Sequence, residues 1–299
     1  MTYKASREWV TYNIDNAIDN LLEGSAKNVS RPYLNRFPCN PKILLLEPLY
    51  PPEAAWGSVK VEQGYVPPLG TISIYRWLKE KGYDIDFVDT QFGDYDLRTL
   101  RVFLQKNQYN LIGLPVFTPT ANYVYETAKL IRSVLPDCII VYGGVHVTSL
   151  SAESLEESPE CDFVIRREGE LTLVELIEAL KKGETDFNHI KGLTWKKDSG
   201  AIILNPDRDL LPDMDKLPVG FFGDLDLTRY IPHPTQYTQL PTYSVVTQRG
   251  CPYPCTFCEA HVALGKKLRQ YSPSRVVEEL KILKYEKGAR GIYFQDSTF

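Results

Sequence analysis

The alternation of short apolar segments with amphipathic segments over residues 42–183 is the feature that most limits the fold of this chain. Each apolar segment has the length of a buried strand, and a segment with helical periodicity follows it, directly or after a loop. The predicted strands are KILLLEP, YDIDFVD, NLIGLPVF, CIIVYGG and CDFVIRREGE. Because strands that alternate with helices are joined by right-handed crossovers, the sequence predicts an α/β fold with a doubly wound parallel sheet.

Loops at one edge of the predicted sheet are the candidate ligand-binding segments. Sheets of this class bind ligands beyond the carboxyl ends of their strands. The connection after the first strand, EPLYPPEAAWGSVKVEQGYVPPLG, is longer than a structural turn requires. PVFTPTAN, GGVHVTS and RREGE follow the third, fourth and fifth strands. Gly143 and Gly144 allow a ligand to approach the backbone, although a glycine can also do no more than shape a turn.

The rest of the chain divides into three further regions. Residues 1–40 are mostly polar, and their apolar residues recur at nearly the spacing of a helix. This pattern predicts an amino-terminal helical extension. Residues 184–241 are rich in proline and contain a predicted hairpin, GLTWKKDSGAIILNP, so they are interpreted as a linker after the 41–183 domain. Residues 242–299 carry one continuous predicted strand, YSVVTQRG, then a capped amphipathic helix and a second strand, which predicts the start of a new βα series.

Three of the six cysteines lie within eight positions, at the carboxyl end of the first strand of that new series. They are Cys251, Cys255 and Cys258. The chain shows no signal-peptide core and no apolar run of membrane-spanning length, which favours a cytoplasmic protein. In a reducing compartment, clustered thiols are ligands more often than disulfides. Three thiolates can hold an iron–sulfur cluster and leave one iron open for a substrate or cofactor.

Zinc is the alternative occupant of this segment. The three cysteines together with His261 offer a Cys3His set. Structural zinc sites usually stabilise small modules with few strands, whereas here strands and a helix already form a βα unit, which favours the cluster. A non-catalytic binding module with a structural zinc therefore stays open as a second class of function.

The segment QRGCPYPCTFCEAH resembles the signature of radical S-adenosylmethionine (radical SAM) enzymes, Cys-x-x-x-Cys-x-aromatic-Cys. The resemblance implies an oxygen-sensitive 4Fe–4S cluster on the three cysteines, whose open iron binds S-adenosylmethionine and whose electron cleaves its sulfonium. It also implies an electron donor such as flavodoxin or ferredoxin. The residues implied to contact S-adenosylmethionine are Tyr253, Phe257 and Asp296, with a helix N-cap as the alternative role of Asp296.

The 41–183 domain resembles the Rossmann-like cobalamin-binding domain that precedes many radical SAM enzymes, on KILLLEP…PLG, IGLPVFTPT, VYGGVHVT and DFVIRREGE. Ordinary cobalamin modules place Asp-x-His-x-x-Gly after the first strand, but no histidine lies between Lys42 and Gly70. The resemblance therefore implies a cobalamin without a histidine lower ligand, or a domain that binds none. Arg167 stands where the family commonly has glycine. The implied cobalamin contacts are Thr118, Thr120, Gly143, Gly144, His146, Thr148 and Glu168, with a backbone-bonded turn residue as the alternative for His146.

The same resemblance implies a TIM-like barrel of which residues 242–299 are the beginning, so we expect this chain to be a fragment that does not turn over by itself. For the intact protein it implies methyl transfer to an unactivated carbon or phosphorus centre of a small molecule. Radical cyclisation or rearrangement, as in anaerobic porphyrin-type cyclases, is the alternative. The net charge of −4 and pI near 5.7 argue against a nucleic-acid partner, and no membrane partner is expected.

Overall fold

The computed structural model describes residues 34, 36–50 and 64–298, and every structural statement below concerns those residues. The predicted amino-terminal helix lies outside the described residues, as do residues 51–63 of the long loop after the first strand. Among the helices of this described part, none combines the length and the apolarity that crossing a bilayer requires.

Seven strands form the larger sheet, and helices pack on both of its faces. The strands are β1 (Lys42–Glu47), β2 (Asp84–Asp89), β3 (Leu111–Pro115), β4 (Ile139–Gly143), β5 (Phe163–Ile165), β6 (Leu193–Lys196) and β7 (Ile202–Leu204). The helices are α1 (Leu69–Glu80), α2 (Leu97–Asn107), α3 (Ala121–Val134), α4 (Val145–Ser149), α5 (Ser151–Glu157) and α6 (Glu170–Lys181). The spatial order is β2-β1-β3-β4-β5-β6-β7. Since β1 to β5 are all parallel, the predicted doubly wound sheet is confirmed.

The central strands are apolar throughout because both of their faces are buried. Leu44 and Leu46 of β1 pack into one core with α2 and α3, whereas Ile43 and Leu45 pack into a second core with α1 and α6. Alternate residues of a strand point to opposite faces, so a strand between two helical layers needs apolar side chains at every position. This requirement explains why KILLLE does not alternate with polar residues.

The predicted hairpin is confirmed, and it extends the same sheet. β6 and β7 pair antiparallel, and Gly200 in the turn has a φ of 83°. β6 also pairs antiparallel with β5, where Trp195 lies opposite Phe163. The sheet therefore continues into residues that the sequence analysis assigns to the linker.

The second unit contains β8 (Thr242–Val245), β9 (Gln248–Arg249), α7 (Ala260–Leu264), β10 (Arg269–Gln270), α8 (Pro273–Tyr285) and β11 (Gly291–Phe294). β8 and β11 are parallel, and the α8 helix between them is capped by Ser272, whose Oγ accepts a hydrogen bond from the N–H of Arg275. This confirms the predicted βα series. The prediction of one continuous strand over YSVVTQRG is wrong, because β9 leaves β8 and pairs antiparallel with β10.

Candidate functional site

A cavity with about 1400 Å³ of empty space, part of it open to solvent, lies between the larger sheet and the second unit. The carboxyl ends of β3, β4 and β5 and the amino-terminal turns of α1 and α6 form one side of it. Arg249, Leu264 and Tyr271 of the second unit form part of the other side. The cavity thus occupies the edge of the sheet at which doubly wound folds bind ligands.

Two neighbouring glycines at the end of β4 line this cavity, for different reasons. A Cβ on Gly143 would meet no atom within 4 Å, so the absence of a side chain there leaves cavity space open beside the backbone. Gly144 has a φ of +104°, and a Cβ on it would lie 2.8 Å from the carbonyl oxygen of Val116. Gly144 is therefore required by the turn, whereas Gly143 leaves room for a ligand. Such a cradle fits a large ligand that approaches the backbone closely.

The structure divides the predicted cobalamin contacts into two groups. Those that line the cavity are Gly143, Gly144 and Glu168, and those outside its lining are Thr118, Thr120, His146 and Thr148. Oγ1 of Thr118 lies 3.1 Å from Nδ1 of the buried His146, which joins the loops after β3 and β4. Oγ1 of Thr148 accepts from the N–H of Arg167 at 2.9 Å and donates to the carbonyl oxygen of Gly144 at 2.8 Å. These side chains hold the loops in place around the cavity.

Arg167 adopts a left-handed backbone conformation, with a φ of 62°. Residues other than glycine rarely adopt that conformation, so the glycine that the resemblance implies at this position would suit this backbone. The guanidinium lies 3.2 Å from the carboxylate of Asp207. Arg167 therefore places a cationic side chain at the cavity where a glycine would leave space.

Two carboxylates that sequence reasoning missed end β1 and β2, and one of them bonds a residue of the cavity lining. Glu47 and Asp89 are register partners on these strands. Glu47 accepts a hydrogen bond of 2.6 Å from Thr71, which lines the cavity, and Asp89 accepts one of 2.9 Å from the hydroxyl of Tyr230. Burial and the charge of Asp89 raise the pKa of Glu47 to about 8. The sequence signal that could have identified them is an acidic residue at the end of each of two predicted strands.

Four charged side chains that are largely shielded from solvent connect the turn before α6 with β9 and β10. Glu168 lies 3.2 Å from Arg249 and 2.8 Å from Arg269, and it also accepts from the N–H of Leu211. Glu170 lies 2.6 Å from Arg249. Burial acts to raise the pKa of Glu170, but the charge and hydrogen bond of Arg249 outweigh it, so that the pKa is lowered. The carboxylate of Glu168, a predicted cobalamin contact, is thus engaged by two guanidinium groups and a backbone amide.

The three clustered cysteines lie on an exposed loop directly after β9. Gly250 has a φ of +98° and is followed by Cys251, whose N–H donates to the carbonyl oxygen of Gly265 at 3.0 Å. A hydrogen bond with Thr298 and one from the Tyr253 N–H lower the pKa of the Cys251 thiol. The three cysteines of this loop are free thiols. Tyr253 is 59% exposed and Phe257 92% exposed, so their rings are accessible from solvent.

The donors of this loop are three thiols and, in α7, the imidazole of His261. In the described part of the chain, no three His, Cys, Asp or Glu side chains are grouped so as to hold one metal ion. Thiolates bind both iron–sulfur clusters and zinc, so the donor chemistry is compatible with either occupant.

Hydrogen bonds of Asp296 connect the carboxyl end of β11 with that of β8. Its Oδ1 accepts from the N–H of Thr247 at 2.7 Å and from that of Gln248 at 3.1 Å, and its Oδ2 accepts from the hydroxyl of Thr247 at 2.6 Å. These bonds replace sheet partners where the chain leaves β8, which explains the break between β8 and β9. Within the described residues, Asp296 therefore makes hydrogen bonds between the ends of two strands.

Comparison with known proteins finds a family model for part of the chain and relatives that match most of it. Residues 58–177 match the B12 binding domain family. An uncharacterized methyltransferase of Pyrococcus horikoshii is 34% identical over 258 residues, which are 86% of this chain and 54% of that protein. The anaerobic magnesium-protoporphyrin IX monomethyl ester cyclase of Synechocystis is 31% identical over 241 residues, 80% of this chain and 46% of that protein. The chain thus spans about half the length of the curated relatives it matches.

A solved structure shares the architecture. The radical S-adenosylmethionine methyltransferase TsrM from Kitasatospora setae, with cobalamin and a 4Fe–4S cluster bound, matches with a TM-score of 0.66. The match covers 86% of this chain and 48% of that chain at 20% sequence identity. At this identity the likeness concerns the fold, and it confirms the predicted Rossmann-like α/β architecture.

Proposed function

We propose that this chain belongs to the radical SAM proteins that carry an amino-terminal cobalamin-binding domain, and that the intact protein is a cobalamin-dependent methyltransferase. One observation supports this proposal most strongly. The cavity at the carboxyl ends of the larger sheet is lined on its far side by Arg249, two residues before Cys251. A cofactor in the cavity and a cofactor on the cysteine loop would thus face a common space. When bound, the cluster supplies the electron that cleaves S-adenosylmethionine, and cobalamin carries the methyl group.

Cobalamin would occupy the cavity without a histidine from the described lining, which contains none. Gly143 keeps the space beside β4 open, and Gly70 does so at the start of α1, because a Cβ at either position would meet no atom within 4 Å. We assign Thr118 with His146, and Thr148, to the support of the loops that border this space. Glu47, whose raised pKa keeps it protonated at neutral pH, leaves the adjoining strand end without its negative charge.

The cluster would be held by the three cysteines of the exposed loop, and S-adenosylmethionine by residues beside it. The exposed ring of Phe257 is free to pack against an adenine, and Tyr253 borders the same loop. Asp296 accepts two hydrogen bonds on Oδ1 and one on Oδ2, so its carboxylate retains capacity to accept from the ammonium of a methionine moiety. An electron donor such as flavodoxin or ferredoxin and a small-molecule substrate complete the proposal.

Radical cyclisation is the second candidate function, and the likeness to the Synechocystis cyclase favours it. It would use the same cavity and the same cysteine loop. The two functions differ in whether the methyl group of S-adenosylmethionine is transferred.

The experiment uses the intact protein, reconstituted anaerobically with iron and sulfide, then incubated with hydroxocobalamin, a reductant and methyl-labelled S-adenosylmethionine. Cobalt that remains bound after gel filtration and label recovered with the corrinoid support a methyltransferase. Bound cobalt and cleaved S-adenosylmethionine without methyl transfer identify the cyclase class. Failure to bind cobalt and to cleave S-adenosylmethionine contradicts both. A Cys255→Ala variant is the matched control, since it removes one thiol from an exposed position of the loop.

A further inference from the structure

The turn before α6 forms part of the cavity and also holds β9 of the second unit. Glu168, Gly169 and Glu170 all line the cavity. The side chains of Glu168 and Glu170 are 9% and 6% exposed, and that of Arg249, which they bind, is 13% exposed. Charges this far from solvent interact strongly, and removing one partner of such a set is costly. The position of Arg249 is therefore determined by Glu168 and Glu170, which line the cavity.

Both terminal nitrogens of the Arg249 guanidinium group make contacts, so the side chain is held at several points. Its Nη1 lies 3.2 Å from Oε1 of Glu168, and its Nη2 donates to Oε1 of Glu170 at 2.6 Å and to Oγ of Ser73 at 2.9 Å. Ser73 itself donates to Glu170 at 2.7 Å. A planar guanidinium can make these contacts at the same time, whereas the point charge of a lysine cannot.

Little backbone freedom separates Arg249 from the first cysteine of the loop. The only residue between them is Gly250, and a Cβ there would lie 2.2 Å from the carbonyl oxygen of Lys267. Cys251 is then fixed by its N–H bond to Gly265. Displacement of Arg249 therefore displaces Cys251.

We propose that Arg249 is a positioning residue that couples the cavity to the cysteine loop, so that a corrinoid in the cavity and an iron–sulfur cluster on the loop stabilise each other. This inference rests on the proposed function. A ligand against the turn before α6 keeps Glu168 and Glu170 in place for Arg249, and a cluster on the loop fixes Arg249 from the other side. Coupling of two binding equilibria is reciprocal by thermodynamic necessity.

The test measures the rate at which the anaerobically reconstituted 299-residue chain loses iron to a chelator, with and without hydroxocobalamin. In the wild type we expect hydroxocobalamin to slow iron loss at least about fivefold, the lower end of typical coupling between sites. In Arg249→Lys the ratio falls close to one. Arg208→Lys is the matched control, because Arg208 pairs with Glu175 on the exposed side of α6, and it keeps the wild-type ratio. The dissociation constant of hydroxocobalamin, measured with and without the cluster, shows the same pattern.

A ratio in Arg249→Lys equal to that of the wild type overturns the inference, even if the variant is less stable, because a merely structural role lowers stability without changing the coupling. A wild-type ratio of one also overturns it. If Arg249→Lys does not fold, Glu170→Gln replaces it, since Arg249 then keeps Glu168 and the ratio falls in part. A wild-type chain that takes up no iron or no hydroxocobalamin contradicts the proposed function itself, whereas uptake of both without coupling contradicts only this inference.

Discussion

Glu47 and Asp89 lie side by side at the carboxyl ends of β1 and β2, with Glu47 buried and Asp89 half-buried. Each has its own hydrogen-bond donor, Thr71 for Glu47 and Tyr230 for Asp89. Burial is the main cause that raises the pKa of both carboxyls, and the charge of Asp89 raises that of Glu47 further, to about 8. At neutral pH the pair therefore carries a proton on Glu47, next to the side chain of a residue that lines the cavity.

The raised pKa of Glu47 predicts a stability that decreases with pH. Its ordinary pKa is 4.5 and its folded value about 8, so the contribution is fully present below pH 4.5 and is lost as the pH rises through 8. Glu47→Gln keeps an acceptor for Thr71 and has no charge to bury. Urea unfolding at pH 4 should give similar free energies for the two proteins, and at pH 8.5 the variant should be more stable by about 1 kcal/mol or more. An equal difference at both pH values contradicts the assignment.

Gly143→Leu tests whether the space beside β4 receives a ligand. Because a Cβ at Gly143 meets no atom within 4 Å, the variant should fold with nearly wild-type stability. Its side chain would occupy cavity space, so the dissociation constant of hydroxocobalamin should rise at least about tenfold, which corresponds to ~1.4 kcal/mol. Absorption titration measures this change. Unchanged affinity in a folded variant would place the corrinoid elsewhere.

Gly144→Ala is the matched variant, with the opposite expectation. The positive φ and the contact of 2.8 Å with Val116 should lower the free energy of unfolding by about 1–3 kcal/mol. Thermal unfolding measures the loss. A variant as stable as the wild type shows that the turn after β4 does not require glycine.

Asp296→Ala should weaken the second unit. The substitution removes the acceptor of the Thr247 and Gln248 N–H groups at the end of β8, and a buried donor without a partner costs about 1–3 kcal/mol. Ser297→Ala is the control at the adjacent position. Hydrogen exchange of the Thr247 and Gln248 amides is the direct readout, and protection equal to that of the wild type contradicts the assigned bonds.

Local sequence patterns were sufficient to predict the strands of the larger sheet, the hairpin and the helix before β11. Their signals are burial on both faces of a strand, a turn at Gly200, and a cap at Ser272. The break between β8 and β9 was not predictable in this way. It depends on Asp296, which is distant in sequence from Thr247 and Gln248.

The candidate site was likewise predictable from local sequence patterns only in part. Spacing alone identified the cysteine loop, and the glycine pair at 143–144 identified one wall of the cavity. Periodicity could not show that Glu168 is engaged by Arg249 and Arg269, because these contacts join elements that only the tertiary fold brings together. Nor could it show that burial keeps Glu47 protonated.

Removal of single cysteines distinguishes those that bind the cluster from those that do not. Cys255→Ala should lower iron uptake by the reconstituted chain to less than about half, since a cluster held by three thiolates loses one ligand. Cys39→Ser should leave iron uptake unchanged, because Cys39 is also exposed and free but lies outside the loop. Iron and sulfide analysis after gel filtration measures both variants. Equal iron uptake in the two variants contradicts the assignment of the loop.

The most direct test of the account is metal analysis and electron paramagnetic resonance of the anaerobically reconstituted and reduced chain, with and without S-adenosylmethionine. The account predicts about four irons per chain, and a signal that changes when S-adenosylmethionine binds to the open iron. Stoichiometric zinc without iron uptake would show that Cys251, Cys255, Cys258 and His261 form a structural site, and would contradict the proposed radical SAM chemistry.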